Sequence, residues 1–405
     1  MSRVRGLDAA TEAVLRYRRP EAWCWELVVE AVCDGIRSHG TWNADRAVTQ
    51  AGPALSAHAD RIAASLKKRL GPFARVSGHH NHEVEAVTFA LAGMGDLRAL
   101  PGLQRLAQDP PLTYNRAHAR ILAALPAAEL LPTLLPGLRR EPEQYRTSTS
   151  MLELLAAWGP AAAPAVPEVV RYLGTPYAYD ALRVLGRIGP AAAVAASRLA
   201  SYATGRGQGP GRLRRRAAWA HWRVTGDPTL ALDVCGVAVR SGTAARGLPF
   251  LADLGPLAAA HADAVRGLME SPGAWTRVAA AHAYRRITGD PEPAVPVLLA
   301  EVDPAWTGRP AMPVQEAVRH LGEIGAPAAA AAPLLGWILA QEERLGHPFD
   351  SVRILADTAY VRTLTEALQR IAPDAAGSVP APPSKELVPV SSPAAGPEFL
   401  RRRLR

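Results

Sequence analysis

Residues 277–302 read RVAAAHAYRRITGDPEPAVPVLLAEV and encode two helices joined by a hinge. Gly289 stands where a helix ends, because glycine accepts the left-handed conformation that closes a helix C-terminus. Asp290 is placed to cap the next helix. Pro291 opens it, since the first helical position needs no N–H donor. After the turn Val295, Leu298, Leu299 and Val302 recur at steps of three and four, the spacing of one buried helical face. The stretch spells stop, turn, start.

The same phrase recurs at Trp158-Gly159-Pro160, Ile188-Gly189-Pro190, Thr225-Gly226-Asp227-Pro228, Leu254-Gly255-Pro256 and Ile324-Gly325-Ala326-Pro327. Its glycines lie 30, 37, 29, 34 and 36 residues apart, a variable spacing that suits stacked helix pairs with adjustable loops. Matching apolar stripes flank it: Leu182, Leu185 and Ile188 before one turn, and Val166, Val169, Val170 and Leu173 after another. A single pair cannot bury its stripe, so neighbours must stack. The expectation is an all-α solenoid of about nine or ten antiparallel pairs.

Fainter copies turn at Met94-Gly95-Asp96 and Leu125-Pro126, and residues 52–60 echo residues 255–263. We therefore expect a divergent helical cap over 1–49, a solenoid over 50–372 with a last pair near Ser351–Ile371, and a disordered basic tail over 373–405. The tail is rich in Pro, Ala and Ser and ends in Arg401-Arg402-Arg403-Leu404-Arg405. It holds too few apolar residues to offset the entropy of ordering.

On these residues, Arg277 to Asp290 resembles a HEAT repeat of the short bacterial type first associated with phycobilisome lyases. Glu83 to Pro101 is similar to the same consensus, and the resemblance spans residues 50–372. It departs at Glu85, where the family usually carries arginine, and at Thr225 and Thr288, which add a residue before the glycine. It implies the solenoid fold. The family spans scaffolds, lyases, inhibitors and DNA-repair enzymes, so the resemblance is nearly mute on function.

The 405 residues carry 46 basic and 37 acidic side chains, a formal charge of +9. Only Lys67, Lys68 and Lys385 are lysines, a skew of the kind GC-rich codons produce, so local clusters weigh more than the total. Three cysteines, Cys24, Cys33 and Cys235, do not make a disulfide framework and read as buried free thiols. Neither a secretory leader nor a spanning segment is visible, and a cytoplasmic location is expected.

The strongest local charge lies on residues 205–223, with basic residues throughout and no acidic one. Arg212, Arg215, Trp219 and Trp222 fall on one helical face, with Arg216 and Arg223 nearby. Arginines beside aromatics suit phosphate contact with base stacking. The competing reading packs the tryptophans between repeats and leaves the arginines as a solvated rim, and Arg214 aligns with Arg277 at the family's structural arginine. His79, His80 and His82 lack the spacing of a metal-ligand set, so no metal site is expected. No nucleophile elbow, P-loop or dinucleotide fingerprint occurs, so we assign no catalytic residue and no cofactor. The expected function is a non-catalytic scaffold holding an unidentified protein partner in its concave groove. Nucleic acid is the alternative partner, with a HEAT-like DNA-repair relative as its enzymatic form.

Overall fold

The computed structural model describes residues 3–34, 41–71, 80–108, 116–140, 145–205, 211–240, 246–346 and 352–373. The fold is an all-α solenoid, with no strand among these residues beyond an isolated bridge between Tyr17 and Glu343. Helices α1 (Arg3–Arg16) to α20 (Ala332–Ala340) follow as ten pairs, and α21 (Arg353–Ile371) ends the array. The last element is therefore one long helix rather than a pair. No Gly-Pro phrase interrupts residues 353–371, so nothing stops it. None of the described helices is long and apolar enough to cross a membrane.

Glycine closes the first helix at the Gly-Pro and Gly-Asp-Pro hinges, in two ways, while α1 and the helix over Arg116–Leu122 end without one. Gly289, in the Gly-Asp-Pro form, is left-handed at φ 78° and ψ −7°. Gly189, in the Gly-Pro form, adopts φ 77° and ψ −138°, and residues 189–195 continue as a 3₁₀ turn before α12 (Ala196–Ala203) begins. Small alanines tolerate the eclipsed i, i+3 geometry of that turn. The Gly189 backbone lies in a region open essentially to glycine alone. A Cβ there would also stand 3.5 Å from the Arg223 carbonyl oxygen in the following pair. Gly189→Ala is expected to lower stability by about 1–3 kcal/mol in urea denaturation. An unchanged midpoint would show that the hinge does not hold this conformation.

Between pairs, side chains bond carbonyls in or just after the last turns of helices. Trp158 Nε1 donates to Leu125 O at 3.1 Å, Tyr172 Oη to Leu138 O at 3.2 Å, and Arg286 Nε to Ala252 O at 3.3 Å. These partners lie one repeat apart in sequence, so each pair finishes the one before it. Arg277 bonds Ser271 O and Pro272 O, as Arg214 bonds Ala203 O, which makes the two arginines structural equivalents. Cys24, Cys33 and Cys235 are buried free thiols, as expected, and burial pushes the Cys235 thiol up to about 12.

First helices follow one another as a layer from α3 (Thr41–Ala51) through α5 (His80–Gly93) to α19 (Val314–Ile324) and α21, and α21 then packs back on α3. The two ends of the array are joined. Around the Tyr17–Glu343 bridge, Arg18 N donates to Glu342 O at 2.8 Å and Arg344 N to Arg16 O at 2.7 Å. Beneath it Asp357, fully buried, receives Arg18 Nη2 at 3.0 Å, Arg344 Nη1 at 3.2 Å and the Leu345 amide at 3.1 Å. Gln50 Oε1 accepts the Ile354 amide at 3.1 Å. An elongated array with free ends is thus replaced by a closed one.

Candidate functional site

Closure curves the first-helix layer around a groove of about 570 Å³. Side chains from α11 (Ala178–Ile188), α13 (Gly211–Thr225), α15 (Leu248–Leu254), α17 (Ala274–Thr288) and α19 all reach it. The first helices of five successive pairs can line one depression only if their layer is the concave one. The walls bring five arginines (Arg183, Arg187, Arg216, Arg286 and Arg319) together with three carboxylates (Asp253, Glu316 and Glu323). Trp219, Phe250 and Trp275 add aromatic surface, and Trp275 is 48% exposed.

Only Arg216 and Trp219 of the expected basic-aromatic set line this groove. Trp219 is buried: its Nε1 donates to Asp253 Oδ2 at 2.9 Å and its ring stands 5.7 Å from that of Phe250. It fills the space a side chain would need at Gly186, where a Cβ would come within 2.2 Å of the indole. Arg216 lays its guanidinium 3.8 Å from the centre of the Tyr179 ring and donates to Tyr179 Oη at 2.9 Å. Its Nε–H is buried without an acceptor among the described residues, as is that of Arg183. Burial lowers the Arg216 pKa.

The helical face that runs along α11 is Arg212, Arg216, Trp219 and Arg223 rather than the one expected. Arg212 stands 5.7 Å from the Tyr179 ring, and Arg223 Nε donates to Gly186 O at 3.5 Å. Arg215 is half-buried and does not line the groove, and Trp222 packs half-buried against the core with Arg223 5.7 Å from its ring. Periodicity groups residues by face but not by which neighbour covers that face. The His79–Glu83 side chains lie outside the described residues.

One cluster in the groove wall escaped the sequence reading. His282 on α17 and His320 on α19 stack with ring centres 3.6 Å apart, and both turn towards Glu323. His320 Nδ1 lies 3.1 Å and His282 Nδ1 3.4 Å from Glu323 Oε2, while Arg319 Nη1 holds Glu323 Oε1 at 2.5 Å. Arg319 also pairs with Glu316. Burial, then the facing His320, drive the His282 pKa down to about 3, and burial lowers His320 as well. Although burial opposes it, bonding to His320 and the neighbouring charges hold the Glu323 carboxyl down at about 2. Two histidines about one repeat apart, with a glutamate three residues after the second, were the available signal.

No protein-family model matches the chain, and neither does any curated protein sequence. Among solved structures, the chain is similar to one from the complex of CpcE and CpcF of phycocyanin lyase from Nostoc sp. PCC7120. That match has 17% identity and a TM-score of 0.33, covering 67% of this chain and 92% of the other. It is also similar to a chain from a structure on the phosphorylation-controlled interaction between cadherin and beta-catenin. There the identity is 15% and the TM-score 0.36, with 94% of this chain and 97% of the other covered.

Proposed function

We propose that the protein is a non-catalytic HEAT-repeat scaffold of the short bacterial type, whose concave groove holds an acidic segment of a protein partner. Residues 50–372 form the binding array in this reading, residues 1–49 its cap, and residues 373–405 a basic tail. The observation that carries it is the wall made by Arg183, Arg187, Arg216 and Arg286 around Trp219, Phe250 and Trp275. Among the described residues Arg187, Arg216 and Arg286 form no ion pair. The Arg216 and Arg286 guanidinium groups, already held by Tyr179 Oη and the Ala252 carbonyl, lose little freedom on meeting a carboxylate, and the aromatics favour an apolar residue beside it. Asp253, Glu316 and Glu323 interrupt the positive wall, which suits a peptide whose carboxylates can be spaced to meet the arginines over the unbroken charge of a phosphate backbone.

A fluorescein-labelled Asp/Glu–Leu peptide and a labelled DNA duplex, titrated at two salt concentrations, test the reading. The peptide should bind and perturb the tryptophan emission of the groove. Arg187→Glu, at an exposed position, should weaken it about tenfold, near 1.4 kcal/mol. Tighter binding of the duplex, with the steep salt loss of phosphate contacts, would overturn the proposal in favour of nucleic acid. So would peptide binding indifferent to Arg187→Glu.

A further inference from the structure

We propose that His282, His320 and Glu323 form a divalent transition-metal site in the groove wall, of the class that takes Zn(II) or Co(II). The inference stands apart from the peptide reading, because it rests on three side chains and needs no partner.

The donor set is two imidazoles and one carboxylate, which suits a borderline cation over magnesium or calcium. Glu323 Oε2 stands 3.1 Å from His320 Nδ1 and 3.4 Å from His282 Nδ1, and one donor atom from each of the three residues falls within 4.8 Å of the others. Around a tetrahedral zinc, ligands about 2.0–2.1 Å from the metal stand roughly 3.3 Å from each other. The two carboxylate–imidazole spacings already match. The imidazoles lie face to face at an interplanar angle of 19°, so the rings must fan apart about their side-chain torsions to aim both lone pairs at one ion. Both rings border the groove, which supplies the room.

The surroundings support the ligands. Arg319 Nη1 fixes the far oxygen of Glu323 at 2.5 Å, and Glu316 offsets the charge of that arginine. Glu316 Oε2 also lies 3.9 Å from His320 Nε2. His320 Nε2 also lies 3.2 Å from Arg319 Nη2, a permanent donor, so a metal on Nδ1, which shifts the His320 proton to Nε2, must turn this nitrogen from Arg319 towards Glu316. Burial keeps both imidazoles neutral, the state in which they bind metal. Three protein ligands leave at least one position open, and it faces the groove.

Isothermal titration of the metal-free full chain with ZnCl₂, and Co(II) absorption spectra, decide the matter. The expected result is one equivalent bound, with a tetrahedral Co(II) spectrum and a raised unfolding temperature. His282→Asn and the isosteric Glu323→Gln should each lower affinity by a factor of about 10 or more. The His79→Ala/His80→Ala/His82→Ala variant removes the run of neighbouring histidines in the sequence and should bind as the wild type does. Binding that survives His282→Asn and Glu323→Gln overturns the proposal, as does binding lost in the triple variant. A folded wild type that takes up no Zn(II) overturns it equally.

Discussion

Replacing Asp357 with alanine is expected to cost about 3–5 kcal/mol of stability, the penalty for stranding buried charges. The carboxylate is fully buried and receives two arginines from opposite ends of the chain together with the Leu345 amide. Arg18 further donates to Ile338 O at 2.9 Å, and Arg344 to Val14 O at 3.2 Å. Without Asp357, two guanidinium groups with little access to water face each other with no counter-charge. Burial already lowers the Arg344 pKa against the pull of Asp357, so the site tolerates positive charge only with that partner. Asp357→Asn keeps an acceptor for Arg18 and should lose less. Urea denaturation followed by circular dichroism measures both. A loss under about 1 kcal/mol for Asp357→Ala would mean that the ends are not held together through this carboxylate.

Acid should destabilise the metal-free protein through the stacked histidines, beginning well above the carboxylate range. An unfolded imidazole protonates near 6.5, whereas folded His282 stays neutral down to about 3. Between those values the unfolded chain binds more protons, so stability falls as the pH falls. The slope is roughly 1.4 kcal/mol per pH unit for each histidine so held. His320 shifts in the same direction. Glu323, held at about 2 against 4.5 when free, adds a loss of the same sign once the pH drops below its unfolded value. The charged groups facing the pair are Arg286 from α17 and Glu316, Arg319 and Glu323 from α19. Denaturation curves in chelator at pH 7, 6, 5 and 4 should show the decline, and His282→Gln should flatten it. A wild-type stability level between pH 6.5 and 5 would contradict the neutral stack.

The pairing of helices was legible because each hinge is written in local chemistry, as in Gly289-Asp290-Pro291. Buried faces such as Leu182, Leu185 and Ile188 were legible for the same reason, since periodicity is local. Closure was not. Arg18 and Asp357 are 339 residues apart, and nothing near either announces the other. The candidate site was half visible: Arg216 and Trp219 were singled out for their charge and rings, and both reach the groove. Their companions were not recoverable from one helix, because Asp253, Trp275 and Arg286 come from neighbouring pairs and meet only through curvature. His282 and His320 look like isolated residues in the sequence. They become a pair only when α17 and α19 stack.

Closure of the array is what gathers the groove, and one engineered disulfide tests it directly. Tyr17 and Glu343 form a bridge of the antiparallel kind flanked by two inter-segment hydrogen bonds, a pairing in which Cα atoms stand about 4.5 Å apart. That lies within the range of about 4.4–6.8 Å that a disulfide spans. The three native cysteines are buried and should not compete. In the Tyr17→Cys/Glu343→Cys variant, mild oxidation under native conditions should give an intramolecular crosslink in most molecules, seen by mass and by mobility on a non-reducing gel. The same treatment in urea should give little. Free thiols throughout, or crosslinks only between molecules, would show that the ends do not meet.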